Sequence, residues 1–177
     1  MSGAPESHSQ AFSMAELLVH ALVIELEAVQ SYRDLAEQMF ECNNTEVAEL
    51  FVKMAELEAQ HAQKIREKVG DIELPELAPW EYRWPGLEAP ENIDLAGVHY
   101  LMTPHHALQL ALENELNAKA FFEGVANGST DARVRSLAIE FAEDERQHVA
   151  WMEDWLAKYP EPGADWDDDP DAPPAID

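Results

Sequence analysis

The chain has 177 residues and a formal net charge of −25, from 36 acidic against 11 basic side chains. One domain with a sizeable core is expected, and nucleic acid and anionic membrane surfaces would be repelled. No apolar run reaches the roughly 18–20 residues that cross a bilayer, and the opening MSGAPESHSQAF lacks the basic-then-apolar order of a signal peptide, so a cytoplasmic protein without a membrane or nucleic-acid partner is expected.

Residues 1–12 read as a disordered leader. Ser13 followed by Glu16 forms a capping-box pattern, and a helical pattern runs from there to about Glu41, where CNNT breaks it. A second pattern runs from about Asn44 to Val69 and stops at Gly70, the residue type favoured just past a helix end. Residues 71–102 contain Pro75, Pro79, Pro85 and Pro90 and the stretch PWEYRWPG, with no long period; they read as an extended crossover. Thr103-Pro104 reopens a helix in cap-then-proline order, lasting to about Asn127. After a GST turn a fourth helix reaches about Lys158. From Pro160 onward five prolines and seven acids in eighteen residues predict a disordered acidic tail, here 159–177. Residues 13–158 are therefore expected to form an all-α four-helix bundle of two antiparallel hairpins.

Each helix carries an apolar seam with alternating steps of four and three. The first seam is Leu18, Leu22, Glu25, Val29, Tyr32, Ala36, Met39, and the second is Val47, Phe51, Met54, Glu58, His61, Ile65. The third is Leu108, Leu112, Glu115, Lys119, Phe122, Ala126, and the fourth is Val134, Ala138, Phe141, Glu145, His148, Met152, Trp155. The polar interruptions are Glu25, the pair Glu58 and His61, Glu115 with Lys119, and the pair Glu145 and His148. Lys119 is expected to run its stem along the bundle edge.

The two hairpins are also a duplication. ALVIELEAVQSYRDLA at 21–36 and ALENELNAKAFFEGVA at 111–126 share six of sixteen positions, and MAELEAQHA at 54–62 and FAEDERQHV at 141–149 share five of nine. Glu25 superposes on Glu115, Glu58 on Glu145 and His61 on His148. Glu56 and Glu143 repeat too, but their helical phase turns them toward water. At about 1.5 Å per residue, Glu25 lies about 24 Å before the first turn and Glu58 and His61 about 21–26 Å after it. Glu115 and Glu145 lie about 18 Å and 21 Å from the second turn. Four glutamates and two histidines are thus expected at one depth in the bundle.

Four carboxylates cannot be buried together without compensating cations, because desolvation and like-charge repulsion each raise their energy. Lys119 supplies one charge at most. A pair of divalent metals satisfies the set, one imidazole to each, and oxygen-rich ligation suits iron, with manganese as the alternative.

These four seams, with Glu25, Glu58-x-x-His61, Glu115 and Glu145-x-x-His148, resemble the ferritin-like superfamily, closest to the catalytic domain of rubrerythrins and next to bacterioferritins, over residues 14–158. The resemblance implies a di-iron site with those six residues as ligands, acting catalytically through the metals. It also implies an oxidoreductase of peroxidase or ferroxidase type. Two departures bear on which. The single cysteine, Cys42, rules out within this chain the Cys-x-x-Cys pairs of a rubredoxin domain, and Ala118 stands where many rubrerythrins have a further glutamate. The tail from Pro160 does not read as the short fifth helix of storage ferritins. Hydrogen peroxide reduction with an external electron donor is the expectation, with dioxygen as the other oxidant. Ferroxidation or iron handling, and a non-catalytic metal-binding module, are the alternatives.

Of the remaining side chains, Tyr32 reads as core, with a place beside the metal ligands as the second reading. His20, His99, His105 and His106 read as surface or capping groups. Trp80, Tyr82 and Trp84 are expected to pack the crossover onto the bundle or onto another subunit, in a homodimer or higher homo-oligomer, and the external donor is expected to dock near them.

Overall fold

Four long helices carry the chain in this computed structural model, which describes residues 12–86, 89–91, 93 and 98–168. The helices are α1 (Met14–Glu41), α2 (Thr45–Val69), α3 (Pro104–Gly128) and α4 (Ala132–Leu156), with a 3-10 turn at Pro79–Glu81. Among the described residues there is no strand. Each boundary agrees with the sequence pattern to within about two residues, the uncertainty of any helix end. Most of the expected leader, the end of the tail and parts of the crossover lie outside the described residues.

Local chemistry explains the boundaries. Ser13 opens α1 with both halves of a capping box: its Oγ accepts from the Glu16 N–H at 3.2 Å, and its own N–H donates to Glu16 Oε2 at 2.8 Å. Asn43, at φ 59°, makes the left-handed turn between α1 and α2, a conformation in which asparagine is enriched. Gly70 does the same after α2, at φ 51°. The N–H of Thr103 donates to His106 Nδ1 at 3.1 Å, and Asp131 accepts from the Arg133 N–H at 2.8 Å to open α4.

Helices α1 and α2 pack as one hairpin and α3 and α4 as the other. Their buried faces form two apolar clusters. One joins Tyr32, Leu35 and Met39 to Phe51, Met54, Leu108 and Met152, with Ile93 and Met102 of the crossover. The other joins Leu17, Leu18 and Ile24 to Ile65, Phe121, Phe122, Val134 and Phe141. Between them, at the level where all four seams turn polar, lie the glutamates and histidines. On α3 the buried stripe passes through Ala118 rather than Lys119, and Lys119 pairs with Glu123 at 3.1 Å.

The crossover is tied down at both ends. Asn44, in the first hairpin turn, donates its Nδ2 to the carbonyls of Tyr100 at 3.1 Å and Met102 at 2.8 Å. At the other end His20 corrects the expectation of a surface group: it is fully buried. Its Nδ1 lies 2.7 Å from the Glu16 carbonyl and its Nε2 accepts the Arg83 N–H at 3.0 Å. That assigns the proton to Nδ1. Phe12, Tyr82, Trp84 and Phe121 surround the ring at centroid distances of 4.8–6.1 Å. Tyr82 and Trp84 therefore pack onto the bundle as expected, whereas Trp80 does not, being 85% exposed. Beyond α4, Trp166 packs back onto His106, with ring centroids 4.1 Å apart.

Candidate metal centre

The six glutamates and histidines that interrupt the seams are brought together and buried. Relative exposures are 2% for Glu25, 1% for Glu58, 7% for His61, 1% for Glu115, 2% for Glu145 and 4% for His148. Glu56 and Glu143 are exposed, as their helical phase requires. His61 Nδ1 lies 3.3 Å from Glu58 Oε2 and 3.8 Å from Glu25 Oε2. His148 Nδ1 lies 3.1 Å from Glu115 Oε2 and 2.9 Å from Glu145 Oε2; the contact to Glu115 has hydrogen-bond geometry, and that to Glu145 is off the required direction. The duplication is visible in the geometry: each imidazole turns Nδ1 toward the glutamate of its own Glu-x-x-His motif and toward a glutamate from the other helix of its hairpin.

A seventh residue joins them from outside the helices. Glu91, in the crossover, is 1% exposed, and both its carboxylate oxygens are buried without a hydrogen-bond partner. One oxygen lies within 4.8 Å of ligand atoms of both Glu25 and Glu58. Its backbone carbonyl accepts a hydrogen bond from Asn114 Nδ2 at 3.3 Å. The seams do not reveal it, because the crossover has no helical period to read. A weaker signal is present: Ala89, Glu91 and Ile93 are spaced by two and all buried, one acidic residue between two apolar ones.

The protonation of the cluster follows from this crowding. Glu25, Glu91 and Glu115 are all held well above the ordinary carboxyl range, chiefly by burial and then by the charges of neighbouring glutamates. Burial also pushes Glu58 up, but the adjacent His61 and the hydrogen bond shared with Glu25 outweigh it, and its pKa is lowered. His148 is raised: burial opposes its charge, and the carboxylates around it, Glu145 foremost, outweigh burial. Tyr32, fully buried beneath the cluster and stacked on Phe51 at 6.0 Å, is raised well above its usual value by burial and by the charges of Glu115, Glu58 and Glu91.

The donor set fits metal ions. Three overlapping groups each offer ligand atoms within 4.8 Å of one another: Glu58, His61 and His148; Glu115, Glu145 and His148; Glu25, Glu58 and Glu91. Unpartnered buried oxygens on Glu25, Glu91 and Glu145 are costly without a cation or proton to satisfy them. Hard carboxylate oxygens with one imidazole per metal match iron or manganese. A small cavity of about 20 Å³ lies beside the cluster, lined by Lys64, Lys68 and Asp144 together with Glu25, His61, Glu145 and His148.

The rubrerythrin family profile matches residues 16–156. The chain belongs to the rubrerythrin family. That family is one of ferritin-like di-iron proteins, and the carboxylate and histidine groups described above are candidate metal sites within it. A crystal structure of an uncharacterised conserved protein from Magnetospirillum magnetotacticum is 36% identical, covers 86% of this chain and 99% of its own, and superposes with a TM-score of 0.66. No curated protein matches. Within this rubrerythrin-family fold, Glu91 is the feature that neither the duplication nor the helical seams account for. No helix among the described residues is long and apolar enough to cross a membrane.

Proposed function

We propose that this protein is a di-iron peroxidase that reduces hydrogen peroxide to water with electrons from a separate donor. The observation that carries this reading is the buried layer of carboxylates with two inward-facing imidazoles, closed above and below by apolar side chains. Glu25, Glu58, His61, Glu115, Glu145 and His148 would hold the two metals, with iron favoured by the family and manganese as the alternative.

When bound, two ferrous ions supply the electron pair that peroxide takes up as its O–O bond breaks, and two protons complete two waters. The chain's own residues set the conditions for this. The two Nδ1 atoms fix one nitrogen donor on each side of the layer. The glutamates that carry protons in the metal-free protein release them as metal enters, so the net charge of the buried layer changes little. Tyr32, Phe51 and Met54 on one side and Phe122 and Phe141 on the other exclude bulk water, which strengthens every electrostatic contact inside.

Two further observations support peroxide reduction over iron storage. Following α4, the described residues turn back so that Trp166 meets His106, and no fifth helix lies among them. The one cysteine of this sequence, Cys42, is exposed on the first hairpin turn, and this reading takes its electrons from a separate donor protein. We assign a homo-oligomer and a cytoplasmic setting to the same reading. The test is stopped-flow mixing of anaerobically loaded diferrous protein with equal concentrations of peroxide and of dioxygen. Faster oxidation by peroxide, with the iron retained, is expected. Faster reaction with dioxygen and many irons oxidised per site would replace this reading with ferroxidation.

A further inference from the structure

Glu91 is a buried carboxylate that the duplicated ligand set does not include. The duplication pairs Glu25 with Glu115, Glu58 with Glu145 and His61 with His148, and leaves Glu91 without a counterpart. It comes from the crossover, which is itself unrepeated. Both its oxygens are buried and unpartnered, and it lies with Glu25 and Glu58, on the α1–α2 side of the layer. One hydrogen bond and two buried neighbours fix its place. Ala89 and Ile93 are buried on either side, and Asn114, one residue before Glu115 on α3, donates to its carbonyl. A carboxylate held at 1% exposure beside two others has no stabilising partner unless a proton or a metal ion supplies one.

We propose that Glu91 is a fifth carboxylate donor to the dinuclear centre, supplied by the crossover to the metal on the Glu25 and Glu58 side alone. The inference rests on the dinuclear reading above. It makes the two metal positions unequal even though the helices that build them are repeats. Charge gives the extra donor a role. Four ionised carboxylates balance two ferrous ions and leave two positive charges uncovered when both ions become ferric. A fifth carboxylate reduces that excess to one. Glu91 thus favours retention of the oxidised pair in a low-dielectric layer where uncompensated charge is most costly. Because the donor sits on a connection and not on a helix, metal at that position also clamps the crossover onto the bundle.

The experiment is anaerobic titration of the full chain with Mn²⁺, counting free ion by electron paramagnetic resonance. Wild type, E91Q and E76Q are compared, Glu76 being an exposed glutamate of the same crossover. Wild type and E76Q are expected to bind two ions, and E91Q to hold one ion as before and bind the other about 10–100-fold more weakly. Metal-free E91Q is expected to melt no lower than wild type at pH 7.5, because the amide keeps the shape of the carboxyl group and cannot ionise among the neighbouring glutamates. A purely structural role would instead lower the metal-free melting temperature and leave both affinities unchanged. Two ions bound by E91Q with wild-type affinities, or both weakened alike, would overturn the proposal. Failure of wild type itself to bind two ions would instead overturn the dinuclear reading. Should E91Q not fold, E91D serves in its place, its shortened carboxylate expected to weaken one ion selectively.

Discussion

The imidazoles of His61 and His148 lie face to face, their centroids 3.9 Å apart and their planes 5° from parallel. Each ring directs Nδ1 to its own pair of glutamates. The stack therefore marks the join between the two repeats, and it places one nitrogen donor on either side.

Metal content is the first prediction. Protein reconstituted with iron should contain about two ions per chain. Glu58→Ala and Glu145→Ala should each weaken binding by at least about 10-fold, whereas Glu56→Ala and Glu143→Ala should leave it unchanged, because those side chains are exposed. Elemental analysis and metal titration check this. Equal losses in both pairs would mean that the seam glutamates are not ligands.

The stability of the metal-free protein should fall as pH rises. Glu25, Glu91 and Glu115 have folded-state pKa values raised above the unfolded value, so the folded form holds extra protons. Their stabilising contribution is complete below the unfolded carboxyl pKa of 4.5 and is lost as pH climbs through the raised values. His148, also raised from 6.5, adds to the loss above that pH. His20, lowered from 6.5 by its burial, acts in the opposite sense and loses stability as pH drops below 6.5. Melting curves from pH 5 to pH 8 should show a net decline for the metal-free form, and the metal-loaded form should gain on it steadily. A constant difference between the two would argue against a protonated cluster.

His20→Ala should destabilise the fold by about 2–4 kcal/mol, since it opens a cavity among Phe12, Tyr82, Trp84 and Phe121 and leaves the Arg83 N–H without its acceptor. The metal stoichiometry should survive, because His20 sits in the apolar layer and not at the glutamates. Urea unfolding gives the first number and elemental analysis the second.

Tyr32→Phe separates the two readings of that residue. As a core ring stacked on Phe51, it should lose only the hydroxyl contribution, about 1 kcal/mol, and keep both metals. A peroxide reaction slowed more than about tenfold in the stopped-flow experiment, a loss of about 1.4 kcal/mol of transition-state stabilisation, would instead place the hydroxyl in the chemistry.

The helices, their seams and the six glutamates and histidines that interrupt them were legible from the amino-acid order, because helical phase is a local property with a short period. Duplication added the depth, since equal distances from each turn bring Glu25, Glu58, Glu115 and Glu145 level. Side chains on the crossover were a different matter. Glu91 enters the metal layer, Tyr82 and Trp84 fold onto His20, and Trp80, two residues before Tyr82, points outward. No period distinguishes these positions, because an irregular segment takes its orientation from what it packs against. Asn114 holding Glu91 and Asn44 holding residues 100 and 102 are contacts between positions 23 to 58 residues apart. Burial of His20 was decided in the same way, by an acceptor needed for the Arg83 N–H that only the folded crossover brings to it. Local periodicity settled what each helix faces; long-range packing settled what reaches in between the helices, and with it the carboxylate that makes the two halves of the centre unequal.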